Sequence, residues 1–209
     1  MQLHFVDGID LTSEQIMQVA QLLLETGYYR EVSKNNKFGL DAVALEGKIS
    51  IRPTLNYIRG LFNENQTLLG FWRGMTRDQI IEVFNKDSEC YYEEHPDVMQ
   101  VSKTIHNLYT AQDVTDCLIL HDVAIASSAR GQGLFKYMLR DVVARAKNEQ
   151  CQRVFALVWE SKQNALAIYA QYGARHGEIL DFSNSMFHDR LVCVIWEITG
   201  LERRLCISC

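Results

Sequence analysis

Asp116-Cys117-Leu118-Ile119-Leu120-His121-Asp122-Val123-Ala124-Ile125-Ala126, followed by Ser127-Ser128-Ala129-Arg130-Gly131-Gln132-Gly133-Leu134-Phe135, is the stretch that decides the fold. Residues 116–126 are rich in β-branched and aliphatic side chains and predict the strongest strand of the chain. From Gly133 to Lys147 the apolar positions Leu134, Phe135, Met138, Leu139, Val142, Val143 and Ala146 keep helical spacing, with Lys136, Arg140, Arg145 and Lys147 facing outward. That pattern predicts a long amphipathic helix. A strand that ends in a glycine turn and opens a helix presents unpaired backbone N–H groups at the positive end of the helix dipole. Such a place suits a pyrophosphate. Glycine lets the backbone approach the phosphates with no Cβ in the way, and Arg130 adds a cation beside them.

Other phosphate loops fit these residues less well. A Walker A loop needs lysine and then serine or threonine after its last glycine, whereas Leu134-Phe135 follows Gly133. A dinucleotide fingerprint needs a third glycine in a parallel strand-helix-strand unit; that glycine is missing. Alone, Gly131-Gln132-Gly133 also fits an ordinary small-residue turn ahead of a helix.

Working outward, 153–159 reads as a short buried strand, Gln163 to Tyr172 as a helix ended by Gly173, and 175–180 with 191–199 as a terminal strand pair, leaving 200–209 as a tail. Upstream, Met1 to Val6 predicts a short strand, and Thr12 with Gln15 three residues on forms a capping-box pattern ahead of an apolar face through Leu24. Residues 28–48 show no period. Pro53 with Leu55, Ile58, Leu61 and Phe62 predicts a further helix, and Gln66 to Trp72 a buried strand. Residues 76–115 predict a mostly helical insertion just before the strongest strand.

In this setting the glycine loop resembles the signature of the GNAT N-acetyltransferase family: Arg or Gln, two residues, Gly, one residue, Gly or Ala, at the join of the fourth core strand and the next helix. Arg130-Gly131-Gln132-Gly133-Leu134-Phe135 fills it, and Ile125 stands at the family's aliphatic position five residues before the arginine. Phe135 replaces a usual small residue, and Ser127 a common proline. A second block, Ala165-Leu166-Ala167-Ile168-Tyr169-Ala170-Gln171-Tyr172-Gly173, is similar to the family's Ala, three residues, Tyr, three residues, Gly; Asn164 lies near the family's asparagine, and Ala174 replaces a usual phenylalanine. The resemblance covers 116–199 well and 1–74 in order of elements.

It implies an α/β (α+β) fold: one GNAT-type domain over 1–209, with a mixed, mostly antiparallel sheet flanked by helices and the helical insertion at about 76–115. It implies acetyl-CoA as co-substrate, its pantetheine arm on the backbone of Val123, Ala124 and Ile125 and its pyrophosphate on Arg130, Gly131, Gln132, Gly133, Leu134 and Phe135, with Asn164 nearby. The reaction implied is acetyl transfer to a primary amine of a small molecule or peptide by direct attack. A non-catalytic acyl-CoA-binding module of the same fold is the alternative.

Such a transfer needs a deprotonated amine, stabilisation of the tetrahedral oxyanion and a proton for the departing thiolate. Tyr169 is the family-aligned proton donor. For the base, His121 is the candidate, because histidine titrates near neutral pH and strand alternation puts it on one face with Ile119, Val123 and Ile125, opposite Asp122. The arylalkylamine branch of the family similarly carries a histidine four residues before the aliphatic position. Glu89, Glu93, Glu94 and Asp97, interleaved with Tyr91 and Tyr92, form an acidic run that reads either as a solvated face or as a mouth for a cationic amine.

Composition bounds the partners. The chain has 209 residues, 47% hydrophobic and 22% charged, with a net charge of −5. These values exclude a disordered or fibrous class and give no support to nucleic acid as partner. No stretch is apolar enough to span a bilayer, and no apolar leader stands at the start, so a cytoplasmic setting is expected. Cys206-Ile-Ser-Cys209 has the spacing of half a zinc site with no second pair, so no metal is expected.

Overall fold

In the computed structural model, residues 2–25, 53–86, 96–185 and 187–206 are described. They form seven strands in the order β1-β2-β3-β4-β5-β7-β6, with six α-helices. The chain divides into two compact units, Met1–Gly74 with Asp122–Met138 and Met75–His121 with Leu139–Cys209.

In the first unit, β1 (Leu3–Asp7) pairs antiparallel with β2 (Ile58–Asn63), and β2 with β3 (Leu68–Thr76). Thr12 caps α1 (Ser13–Leu24): its hydroxyl accepts from the Gln15 N–H at 3.2 Å while Gln15 Oε1 accepts from the Thr12 N–H at 3.0 Å. This is the expected capping box, and it opens a helix that buries Ile16, Val19, Ala20, Leu22 and Leu23. The C-terminal half of β4 (Cys117–Ile125) and the first turn of α4 (Leu134–Asn148) complete this unit.

The helix expected from Pro53 through Phe62 is corrected. Pro53–Tyr57 is a single 3-10 turn, and β2 follows from Ile58. Ile58, Gly60, Leu61 and Phe62 are all buried, so both faces of the strand are covered and the polar alternation that marks a strand in sequence is lost. Gly60 is the local sign against a helix, since interior glycine weakens one.

In the second unit the parallel ladder of β4 on β5 (Arg153–Trp159) runs from Cys117↔Arg153 to Leu120↔Ala156. Antiparallel pairing joins β5 to β7 (Asp189–Glu197) and β7 to β6 (Arg175–Phe182). The insertion supplies α2 (Arg77–Lys86) and α3 (Pro96–Tyr109), as its apolar spacing predicts. α5 (Gln163–Gln171) ends where expected, with Gly173 at φ 83°, a left-handed position that glycine adopts freely.

The stretch read as a tail is also corrected. Ile198–Leu205 is helix α6, with Ile198, Leu201, Glu202 and Leu205 buried. Its apolar residues fall at helical spacing, and Arg203 and Arg204 occupy the last turn, where cations suit the dipole. Lys147 Nζ donates to Glu202 Oε1 at 2.8 Å and Arg140 Nη2 to Leu205 O at 2.9 Å, tying α6 to α4.

Residues 28–48 and the acidic Glu89, Glu93 and Glu94 lie outside the described residues; Asp97 falls in α3. Among the described residues, no helix is long and apolar enough to cross a membrane, and no group of His, Cys, Asp and Glu could hold a metal ion.

Candidate active site

The glycine loop follows the C-terminal end of β4. Ala126 N donates to Leu69 O at 2.9 Å, Ala129 N to Ala126 O at 2.9 Å, and Arg130 Nε to Ile125 O at 3.2 Å. The last of these folds the arginine back over the end of the strand. Gly131 and Gly133 take φ of 77° and 74°, the left-handed region, and α4 begins at the next residue, Leu134. A Cβ built on either glycine would meet nothing within 4 Å. The glycines are therefore required by backbone conformation and not by crowding within the protein. Gln132 Nε2 donates to Ser128 O at 3.3 Å.

Leu134 is buried while Phe135 is half-buried, so Leu134 is the loop's contribution to the core and the bulky Phe135 lies nearer the surface. One turn on, Tyr137 stacks on Phe5 of β1 with ring centroids 5.3 Å apart and 3° between planes. Arg59 covers Phe5 at 5.4 Å and donates to Asp7 Oδ1 at 2.6 Å. These contacts fix the first turn of α4 against the first unit's sheet.

Val123, Ala124 and Ile125 lie beyond the last rung of the β4–β5 ladder. On the β3 side the backbone approaches closely: a Cβ on Gly70 would stand 2.7 Å from Ala124 O and 3.2 Å from Met138 Sδ. Asp122 forms a buried ion pair with Arg73, the two side chains 12% and 10% exposed. No sequence signal paired these residues.

In the second unit His121 is half-buried and its ring meets Tyr109, at the end of α3, with centroids 4.5 Å apart and planes at 60°. Tyr109 also stands edge-on to Phe155 of β5 at 6.1 Å. Tyr109 was missed from sequence, although Val101, Ile105 and Tyr109 continue one helical face.

Tyr169 is 9% exposed on α5 and packs on Trp196 of β7 at 5.0 Å. Burial pushes its phenol up to about 12, so it is a neutral donor at any working pH. Asn164 is exposed in the first turn of α5, where Lys162 makes no side-chain cap. The structure thus groups 123–125 with 130–135 in one unit, and sets His121 with Tyr109, and Tyr169 with Trp196, in the other.

The sequence profile described as Acetyltransferase (GNAT) family matches residues 52–174. No curated protein matches the chain by sequence. Among solved structures, mutant forms of the spermidine/spermine N-acetyltransferase SpeG from Vibrio cholerae superpose with a TM-score of 0.59 at 11% identity, covering 97% of this chain and 99% of that one. The ribosomal-protein-S18-alanine N-acetyltransferase from Escherichia coli gives 0.54 at 10% identity, with 94% of each chain covered. At such identities the likeness is one of fold.

Proposed function

Given that this chain belongs to the GNAT acetyltransferase family, we propose that it transfers the acetyl group of acetyl-CoA to a primary amine of a small molecule or peptide. The observation that carries this reading is the paired left-handed conformation of Gly131 and Gly133 directly before Leu134, the first residue of α4. It places a glycine turn directly at a helix N-terminus, where an anion is favoured.

In this reading the pyrophosphate lies on Gly131 to Phe135 with Arg130 beside it. The pantetheine arm adds to the backbone of Val123, Ala124 and Ile125 as a peptide adds to a sheet edge. Asn164, exposed at the start of α5, is a further contact for the cofactor.

His121 takes the proton of the attacking amine, directly or through a water, as the nitrogen lone pair forms its bond to the thioester carbon. Collapse of the tetrahedral oxyanion then breaks the carbon–sulfur bond. With its phenol at about 12, Tyr169 is a weaker acid than a thiol near 8.5, so complete transfer to a free thiolate is uphill by roughly 5 kcal/mol. Its contribution is a hydrogen bond that strengthens as charge gathers on sulfur; the thiolate leaves and takes its proton from solvent, to which His121 returns the proton it drew from the amine.

The acceptor is proposed to approach past the insertion, whose helix α3 brings Tyr109 against His121. The acidic run at Glu89, Glu93 and Glu94 favours a cationic amine by its field. SpeG from Vibrio cholerae, a spermidine/spermine acetyltransferase, is a structural neighbour of that substrate class.

The test is thiol release from acetyl-CoA with a panel of spermidine, phenethylamine, a lysine peptide and an alanine-terminated peptide, together with calorimetric titration of CoA. Binding with turnover of at least one amine is expected. CoA binding without turnover of any amine leaves the non-catalytic module, and no CoA binding overturns the reading.

A further inference from the structure

We propose that Tyr109, delivered by the insertion helix α3, is a positioning residue that fixes the plane of the His121 imidazole. The inference rests on the reading of His121 as the base. A base must aim one ring nitrogen at the amine within about 2.6–3.2 Å. On a strand, histidine's second side-chain torsion is broad and nearly two-fold, so the backbone of β4 alone leaves the imidazole plane undetermined. A neighbouring ring at 4.5 Å and 60° sits at the close end of the range in which aromatic pairs prefer edge-to-face geometry, and selects one plane.

Tyr109 can serve this role because it is itself held. It is 3% exposed and stands edge-on to Phe155, which is also 3% exposed. Phe155 pairs in register with Ile119, two residues before His121 on the same strand face. The end of α3 is held by its own last turn and by α2. Thr110 N and Thr110 Oγ1 donate to His106 O at 3.0 and 2.9 Å, and Arg77 Nε, from α2, donates to Thr110 O at 2.7 Å. Earlier in α3, Val101 on the same face, eight residues before Tyr109, is fully buried. On the strand, Asp122 is engaged by Arg73.

In this arrangement the insertion supplies the support that the sheet does not. It also couples α2 to the base, since Arg77 anchors the turn that carries Tyr109.

The experiment compares Tyr109→Leu, Tyr109→Phe, His121→Ala and the double variant His121→Ala/Tyr109→Leu, using the amine turned over best in the panel, with the histidine ring signals followed by NMR. Tyr109→Leu should lower kcat by about 10–100-fold, as loss of orientation does, with the KM for acetyl-CoA unchanged. Tyr109→Phe, which keeps the ring, should restore most of the loss. In the His121→Ala background Tyr109→Leu should cost nothing further, because residues acting through one another are not additive. Multiplying effects in the double variant would overturn the proposal.

The NMR arm stands apart from catalysis. The His121 signals, assigned by their loss in His121→Ala, should move in Tyr109→Leu and return in Tyr109→Phe. In the unaltered protein, Overhauser contacts between the Tyr109 and His121 rings are required, which covers the case in which leucine at 109 unfolds the chain. Their absence overturns the proposal. If they are present while His121→Ala leaves turnover intact, the base reading has failed and the positioning of the ring has not.

Discussion

Replacing Gly131 or Gly133 separates backbone conformation from bulk in the proposed cofactor loop. Both glycines are left-handed, with φ of 77° and 74°, and an added Cβ at either would touch no atom of the protein within 4 Å. Alanine therefore meets no clash, and its cost is the left-handed backbone alone, about 1–2 kcal/mol. If CoA binds this conformation, that strain converts into about a 5- to 30-fold rise in Kd per site. Asparagine tolerates the left-handed region better than other side chains, and a β-branched residue tolerates it worst. The expected order of affinity is thus glycine, asparagine, alanine, valine. Calorimetric titration with CoA measures it, and thermal unfolding without ligand should change little, because an exposed loop free of CoA can relax out of the left-handed region and leave the strain to the bound form. Gly173 is the contrast: it too is left-handed at 83°, but its Cβ would stand 2.5 Å from Arg204 Nε, so Gly173→Ala should lower thermal stability and leave Kd alone. Equal losses for asparagine and valine at 131 and 133, or no loss for either, would refute the conformational argument.

Other expectations follow from burial. Tyr169→Phe should lower kcat by about 10²–10³, as loss of one hydrogen-bond donor to developing charge does, with CoA affinity kept, as read by steady-state kinetics and titration. Because burial raises the Tyr169 phenol to about 12, the hydroxyl stays protonated below that value. The rate–pH profile should then carry no falling limb from this group below about pH 11. Cys117 is raised to about 12, and Cys151 and Cys193 to about 11, chiefly by burial. At pH 8, iodoacetamide should spare these three in peptide mass spectra and label the exposed Cys206. Leu201→Ala, at a site 1% exposed, should cost about 2–5 kcal/mol of stability, seen as a lower denaturant midpoint.

The legibility of this chain followed how each element is covered. The strand of 117–125, the amphipathic helix of 134–148 and the capping box at Thr12 were readable because each carries a local signal: β-branched density, a 3.6-residue period, a cap three residues from its partner. β2 was not, because a strand buried on both faces has no alternation to show. α6 was missed for a different reason. It begins directly after β7 ends, so no turn residue marks the change of period. In the candidate site, the glycine loop could be placed by spacing alone. The partners of the catalytic candidates could not: Tyr109 against His121, Trp196 against Tyr169 and Arg73 against Asp122 join residues far apart in sequence, and only the fold brings each pair together. Tyr109 came nearest to being legible, as the third residue of the Val101 and Ile105 face.

Helix α6 has a consequence for the protein's synthesis. Leu201 and Leu205 are 1% and 0% exposed, and Glu202 and the Leu205 carbonyl receive Lys147 and Arg140 from α4, which leaves the ribosome well before them. As chains lengthen there by about 5–20 residues per second, this part of the second unit's core cannot close before Leu205 has been made. A message broken or stopped just after β7 yields a chain that has every proposed catalytic residue and lacks helix α6. Such a product is a client for chaperones and proteases and not a shorter enzyme. For the same reason, a fusion or tag belongs after Leu205, where Cys206 turns the chain into the left-handed region at φ 54°.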